Sequence, residues 1–321
     1  MRAVRLSEHG GTDVLSVEDV DRPAPADDEL LVQVSAAGVN PVDTYFRDGS
    51  YDPVALPFTP GVDFAGTVVE TGDDVAGYEP GDGVFGTGVG NAARQGSYAE
   101  YLTVGTDTVA PLGDGVDRTA AGAAPVAAAT AWRALIGIAG LDPAQRCLIH
   151  GGSGGVGHAA VQIAAAVNAH VITTARPDYH DAVVDLGADA VLDYQRDDLA
   201  EAVERAADGG VDVVLDHRLD DYLQFDTEVA NSHASIVGIG ENDSEAGFSN
   251  VNAARGVDAG YTFMSLFNAP NLSKVLAGVG YLMETDALEI EIARSYDLDD
   301  AAAAQRAVME ESFLGKLVIE P

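Results

Sequence analysis

The run Cys147-Leu148-Ile149-His150-Gly151-Gly152-Ser153-Gly154-Gly155-Val156-Gly157 constrains this chain more than any other stretch. Cys147–His150 is a short apolar strand, and Val156–Val167 is predicted to be a helix. Between them Gly152, Gly154 and Gly157 satisfy the spacing G-x-G-x-x-G. Alone that spacing is weak; a strand before it and a helix after it give it meaning. The glycines permit a tight turn and a close backbone approach to a pyrophosphate. The helix start offers free N–H groups and the positive end of its dipole to the anion. Gly152, Ser153, Gly154, Gly155, Val156 and Gly157 are therefore candidate cofactor-binding residues.

Downstream, strands and helices alternate. His170–Thr174, Ala190–Asp193, Val211–Leu215 and Ser235–Ile239 read as strands. Tyr179–Leu186, closed by Gly187, and Asp198–Ala207, stopped by Gly209-Gly210, read as helices. Repeated βα units with short connections predict a doubly wound parallel sheet of the Rossmann type. Gly238 and Ile239 end a strand at the carboxyl edge of that sheet, where ligands bind.

Residues 1–120 read differently. Short apolar or alternating runs (Leu30–Ala36, Phe64–Glu70, Gly83–Gly86, Tyr98–Val104) are separated by turns rich in Pro, Gly and Asp. That spacing predicts a small barrel or sandwich. The character changes near Pro125, which suits a first helical turn, and Gly140 reads as the C-cap of that helix. The tail, Ala287–Pro321, returns to strand-like runs (Glu289–Ala293, Leu317–Ile319) around a helix, Asp300–Glu310, and is expected to rejoin the first domain. The expected class is α/β. The expected domains are 1–122 with 287–321, and 123–286 for the dinucleotide.

An NAD-type site carries an acid about 20 residues beyond the glycines, to hold the ribose 2′-hydroxyl. Here the sequence is Val171-Ile172-Thr173-Thr174-Ala175-Arg176-Pro177, with no acid at the strand end. Thr174 offers a hydroxyl and Arg176 a planar donor suited to a phosphate monoester, with Tyr179 beside them. This pattern predicts NADPH.

Charge excludes some partners. The chain holds 52 Asp and Glu against 17 Lys and Arg, a net charge of −35, and only Lys274 and Lys316 are lysines. Such a field repels nucleic acid and anionic membranes. It also fits a surface adapted to molar salt, where the Debye length falls to about 3 Å. No apolar run reaches the roughly 20 residues of a membrane span. Met1-Arg2-Ala3-Val4-Arg5 does not open a signal peptide, so a cytoplasmic protein is expected. Cys147 is the only cysteine, and the seven histidines show no ligand spacing, so no zinc is expected.

With these residues in hand, the chain resembles the zinc-independent medium-chain dehydrogenases/reductases of the NADPH:quinone oxidoreductase (zeta-crystallin-like) type. The resemblance rests on Ala37–Tyr45, Pro60–Gly66, Pro80–Val84, Gly151–Gly157, Leu186–Asp189 and Gly315–Val318. It implies a GroES-like β-barrel domain from the N-terminal part and the tail, a Rossmann domain between them, a cleft between the two, and a homodimer. Asn40 falls where zinc-dependent relatives place a ligand Cys, Val62-Asp63 replaces their His-Glu, and Thr87–Gly96 lacks their cysteines.

The resemblance further implies Asn40, Tyr45 and Tyr51 as catalytic-site donors, and Asp43 as a structural acceptor. It places Thr130, Phe267, Asn268 and Lys316 near the nicotinamide side, and Tyr194 near the adenosine. The implied reaction is hydride transfer from NADPH to a planar quinone or enone. Alternatives are an enoyl-thioester or carbonyl reductase on the same scaffold, and a non-catalytic NADPH-binding protein. Two stretches depart from the family pattern: His217-Arg218-Leu219-Asp220, where relatives often carry Gly-Gly, and Glu241–Asn252.

Overall fold

A computed structural model describes residues 1–51, 55–88 and 95–321. It divides the chain into two compact units, Met1–Ala129 with Pro270–Pro321, and Thr130–Ala269. The first crossing therefore falls inside the helix Pro125–Trp132. The second precedes the helix Leu272–Glu284, which packs on the strand Val109–Pro111 of the first unit.

The first unit is built around Glu29–Val39, an 11-residue strand. On one side it pairs with Asp63–Thr71, which continues to Gly83–Thr87 and Val109–Pro111. On the other side its first half pairs with Tyr101–Gly105 and its last three residues with Lys316–Glu320. Ile292–Asp297 closes the order beyond Lys316–Glu320. Register explains why the tail matters: Leu317 sits opposite Val39 and Ile319 opposite Ala37. Lys316 is thereby delivered to the end of the central strand, where the helix Pro41–Asp48 begins. The core combines Leu30, Val32, Phe64 and Tyr98 with Leu298, Ala301 and Ala304 of the tail, so the two sequence segments fold as one body.

Residues 41–48 form a helix. Asp43 reaches back to the Asn40 N–H at 2.8 Å, capping the first turn, and Gly49 ends the helix at φ +76°.

The second unit holds a six-stranded sheet in the order Ala190–Asp193, His170–Ala175, Arg146–Ile149, Val211–Asp216, Ala230–Gly238, Gly260–Phe263. Every pairing in it is parallel. Counting from Arg146–Ile149 as the first strand, the order is 3-2-1-4-5-6, that of doubly wound dinucleotide folds. The order reverses between Arg146–Ile149 and Val211–Asp216, so the switch point lies beside the glycine turn. Leu148, Ile172, Val214 and Ile236 pack with Val203 and Val211 to fill one face.

Several elements differ from expectation. The strand at 235–239 begins five residues earlier, at Ala230, and the edge strand Gly260–Phe263 carried no recognised pattern. Past Trp132 the helix continues as a π-helical turn, Arg133–Ile138, before Gly140 turns the chain at φ +62°. Leu219–Val229 and Leu272–Glu284 are further helices.

Candidate functional site

In the second unit the glycine turn follows Arg146–Ile149, and the helix Gly155–Ala166 begins with Gly154 as its N-cap. Two of its glycines have no room for a side chain. A Cβ on Gly157 would lie 2.0 Å from the Gly151 carbonyl oxygen, and one on Gly152 would lie 2.3 Å from the Thr173 hydroxyl. Gly152 and Gly157 are buried, whereas Ser153, Gly154, Gly155 and Val156 form a partly open rim. The N–H groups of the first helical turn have no intrahelical acceptor. The rim is thus a concentrated source of backbone donors at the positive end of a helix.

The turn is held from the neighbouring strand. Gly152 N–H donates to the Thr174 carbonyl at 2.8 Å, and Gly151 N–H to the Thr174 hydroxyl at 3.0 Å. Thr174, expected at the cofactor's 2′ position, is buried and braces the turn. Arg176, two residues on, is exposed; its carbonyl accepts from Tyr179 N–H at 3.0 Å, and its guanidinium makes no hydrogen bond or ion pair among the described residues. Tyr179 and Tyr194 are half-buried, Tyr179 at the end of a short 3₁₀ turn and Tyr194 just past the strand Ala190–Asp193.

Gly238 ends its strand, and Ile239 N–H donates to the Asp216 carbonyl at 2.8 Å. Phe267 and Asn268 lie in a 3₁₀ turn, Leu266–Asn268. Arg133 clamps that turn from the π-helical segment, donating to the carbonyls of Ser265 and Asn268. Thr130 is buried in the helix Pro125–Trp132. Sequence reasoning missed Arg133. Its signal, an Arg at the end of an Ala-rich helix, is too common to single out.

The first unit carries a buried polar network. Asn40, Asp43, Asp63, Tyr98 and Lys316 are all buried. Lys316 Nζ donates to the Val39 carbonyl at 3.1 Å and to Asn40 Oδ1. Asn40 Nδ2 donates to Asp63 at 2.9 Å, and Asp63 accepts from Val126 N–H at 3.0 Å, the start of the helix Pro125–Trp132. Asp43 accepts from Val62 N–H at 3.1 Å and from the Tyr98 hydroxyl at 3.0 Å. Burial pushes the carboxyl of Asp63 up to about 7, against the pull of Lys316. Burial also pushes Asp43 up to about 6 and lowers Lys316.

The network engages two of the candidate site residues. Lys316, expected beside the cofactor, is 4% exposed and spends its ammonium on Val39 and Asn40. Asn40, expected as a substrate donor, is 3% exposed, and both ends of its amide are engaged inside the unit. Both residues hold the N-terminus of the helix Pro41–Asp48. On that helix Tyr45 is 37% exposed, and its hydroxyl has no partner among the described residues. Tyr51, beyond the helix, donates its N–H to the Tyr45 carbonyl at 3.3 Å and packs edge-on against Phe46.

The departures from the family pattern take definite form. Arg218 N–H donates to Asp216 at 2.7 Å. The loop 241–252 is tethered to the helix Leu219–Val229 by Asn242 N–H on Asp220 and Asn250 N–H on Gln224, each at 2.9 Å. Part of the cysteine-free segment Thr87–Gly96, residues 89–94, lies outside the described residues.

Two family models match the chain. Residues 26–114 match the alcohol dehydrogenase GroES-like domain, and residues 186–319 match the zinc-binding dehydrogenase domain. The quinone oxidoreductase of Lama guanicoe is 42% identical over 200 residues, 61% of this chain and 59% of that protein. The match to the Homo sapiens quinone oxidoreductase, also 42% identical, spans 53% of that protein, so this chain aligns with little more than half of these relatives' length. Among solved structures, the quinone oxidoreductase of Coxiella burnetii superposes with a TM-score of 0.87 at 30% identity, covering 100% of this chain and 99% of that one. An NAD-dependent alcohol dehydrogenase superposes at 0.92 with 27% identity, and a mycobacterial protein solved with NADPH at 0.88 with 28%, each over 100% of both chains.

A Rossmann-type sheet and a GroES-like domain define a medium-chain dehydrogenase/reductase. This chain belongs to the zinc-independent quinone oxidoreductase family of that class.

The residues do not fit the zinc that one domain description mentions. No group of three or more His, Cys, Asp or Glu among the described residues is placed to hold a metal. The Lys316 ammonium faces the Asn40 side-chain oxygen, so a cation already sits where a metal would need donors.

Proposed function

We propose that this chain is an NADPH-dependent reductase that passes hydride to a quinone without a metal. The observation that carries the cofactor choice is Arg176. In a chain of net charge −35, an exposed arginine without an acidic partner among the described residues stands at the end of the second sheet strand. That is where a 2′-phosphate would need a planar cation.

Bound NADPH supplies a hydride to an electron-poor conjugated system. The chain's residues do the rest. Backbone N–H groups of Ser153, Gly155 and Val156 hold the diphosphate, with Gly152 and Gly154 shaping the turn, and Gly157 lets the helix approach. Arg176 takes the 2′-phosphate, with Tyr179 and Tyr194 beside the adenosine. Thr130, Gly238, Ile239, Phe267 and Asn268 flank the nicotinamide, the last two held by Arg133. Tyr45 donates a hydrogen bond to the carbonyl oxygen on which negative charge develops, with Tyr51 as a second aromatic. Asn40 and Lys316 position the helix that carries Tyr45.

The test is NADPH oxidation followed against a quinone, an enone and an enoyl-CoA with metal chelated. Turnover with the quinone supports the reading. Preference for the enone or the thioester assigns the alternative reductase chemistry, and binding without turnover leaves a carrier of NADPH.

Further parts of the reading concern state and setting. A homodimer formed through Gly260–Phe263 is supported by that strand's edge position and by Phe263, which is 64% exposed. Sedimentation checks it. A cytoplasmic setting with molar salt is supported by the acidic surface and by the two lysines. Among the described residues no helix is long and apolar enough to cross a membrane.

A further inference from the structure

The second unit buries a cluster of ionisable groups that the hydride chemistry does not use. Asp216 ends the strand Val211–Asp216, and Asp226 lies on the helix Leu219–Val229; both are fully buried. Asp216 Oδ1 accepts from Arg218 N–H at 2.7 Å, and Asp226 Oδ1 and His150 Nε2 are hydrogen-bonded at 2.7 Å. The second oxygen of each carboxyl finds no donor among the described residues. Each carboxyl nonetheless has the other as a hydrogen-bonding neighbour. Two facing acceptors cannot both be satisfied unless a proton lies between them.

We propose that Asp216 and Asp226 share one proton, and that a dinucleotide on the Gly151–Gly157 turn holds that proton in place. Cofactor binding then takes up protons. This rests on the reading that the turn binds a dinucleotide.

The cluster adjoins the turn directly. His150 immediately precedes Gly151, and its N–H donates to the Leu215 carbonyl at 3.1 Å. A Cβ on Gly151 would lie 2.8 Å from the His217 ring. Losing the shared proton to solvent would leave two carboxylates behind a loop that must hold a dianionic diphosphate. The repulsion acts through the buried side of the turn, where water cannot screen it well.

The neighbouring charges do not cancel it. His150, stacked on Tyr222 at 4.2 Å, is held neutral by burial down to about pH 4, as is His217. Arg218 pairs with Asp221. Tyr222 and Tyr194 are phenols. From the packed elements, Glu201, Glu204, Arg205 and Arg255 are exposed, and Arg133 is engaged with the turn at 265–268. Burial, then the charge of Asp226, pushes the Asp216 carboxyl up to about 7, so the proton is exchangeable near neutrality.

The experiment is calorimetric titration of the full chain with NADPH at pH 7.5 to 8.5, in two buffers of different ionisation enthalpy. NADH is run alongside, since its lack of a 2′-phosphate removes the ligand's own titration. The expected result is net proton uptake with both cofactors and affinity falling up to ~10-fold per pH unit, as one linked proton requires. Asp226→Asn should abolish both effects. The infrared band of a protonated carboxyl should be present in the wild-type protein and persist to higher pH with NADPH, which needs no variant. Binding with no proton uptake and a flat pH profile overturns the coupling alone. Failure of NADPH and NADH to bind at any pH overturns the dinucleotide reading as well.

Discussion

The Lys316 ammonium donates to the side-chain oxygen of Asn40, and the Asn40 amide nitrogen donates in turn to Asp63. A strand from the tail thereby fixes the start of a helix some 276 residues earlier in sequence. Removing the ammonium leaves the buried Val39 carbonyl and Asn40 side-chain oxygen without their donor. Lys316→Met should cost about 2–6 kcal/mol of unfolding free energy, at roughly 1–3 kcal/mol for each buried acceptor left without its donor. Denaturant unfolding of the two proteins measures it. A loss below about 1 kcal/mol, the scale of an exposed pair, would show that the network is not held by this charge.

Among the described residues Arg176 has no acidic partner to release before it binds phosphate. Arg176→Ala should raise KM for NADPH by about 10- to 100-fold, the value of one charge-assisted contact of roughly 1.5–3 kcal/mol. KM for NADH should stay within about twofold, since NADH has no 2′-phosphate for the guanidinium to meet. Steady-state kinetics with both cofactors checks it. Equal losses for the two would remove the phosphate role.

Tyr45 presents a hydroxyl with no partner among the described residues. Tyr45→Phe should lower kcat for quinone reduction by about 10- to 100-fold, less than is seen for a full oxyanion-hole donor. Its thermal stability should be unchanged, because the phenol supports nothing beneath it. An unaltered kcat would exclude the phenol from the reaction.

Much of this was legible in the sequence, and the boundary is physical. The glycine turn was legible because its constraint is local: a strand, a close turn and a helix start fall within 11 residues. The parallel sheet followed from alternation of elements with short connections. The helix Leu219–Val229 was not recognised because Asp220, Asp221, Asp226 and Glu228 blur its apolar stripe, and Asp226 points inward against the pattern. The edge strand Gly260–Phe263 is four residues long and has few apolar side chains to mark it. The hydrogen bond between Lys316 and Asn40 was not legible because it is set by strand register across the whole chain. No spacing rule reports such a contact.

Stability should fall as pH rises from about 6.5 to about 8. Asp63 and Asp216 titrate at about 7 and Asp43 at about 6 in the fold, all well above the 3.8 of an ordinary aspartate. The native state therefore holds protons that the unfolded chain has released, and that stabilisation disappears as pH passes the folded values. Between about pH 4 and 6.5, His150 and His217 work in the opposite direction. Their folded values of about 4 mean that the unfolded chain binds the protons there. Above about 6.5 the histidines are neutral in both states and only the acids remain. A Tm series at constant high salt reads the slope directly. A Tm that rises across that window would contradict the burial of these carboxyls.

Gly157 admits no side chain at the approach of helix to turn, so Gly157→Ala should weaken NADPH binding by at least about 10-fold and destabilise the fold by about 1–3 kcal/mol. The most direct test is a crystal structure of the wild-type chain with NADPH bound. The diphosphate should lie on the N–H groups of Ser153, Gly155 and Val156, with the 2′-phosphate at Arg176. NADPH bound elsewhere, or a turn left without its diphosphate at saturating cofactor, would contradict the account.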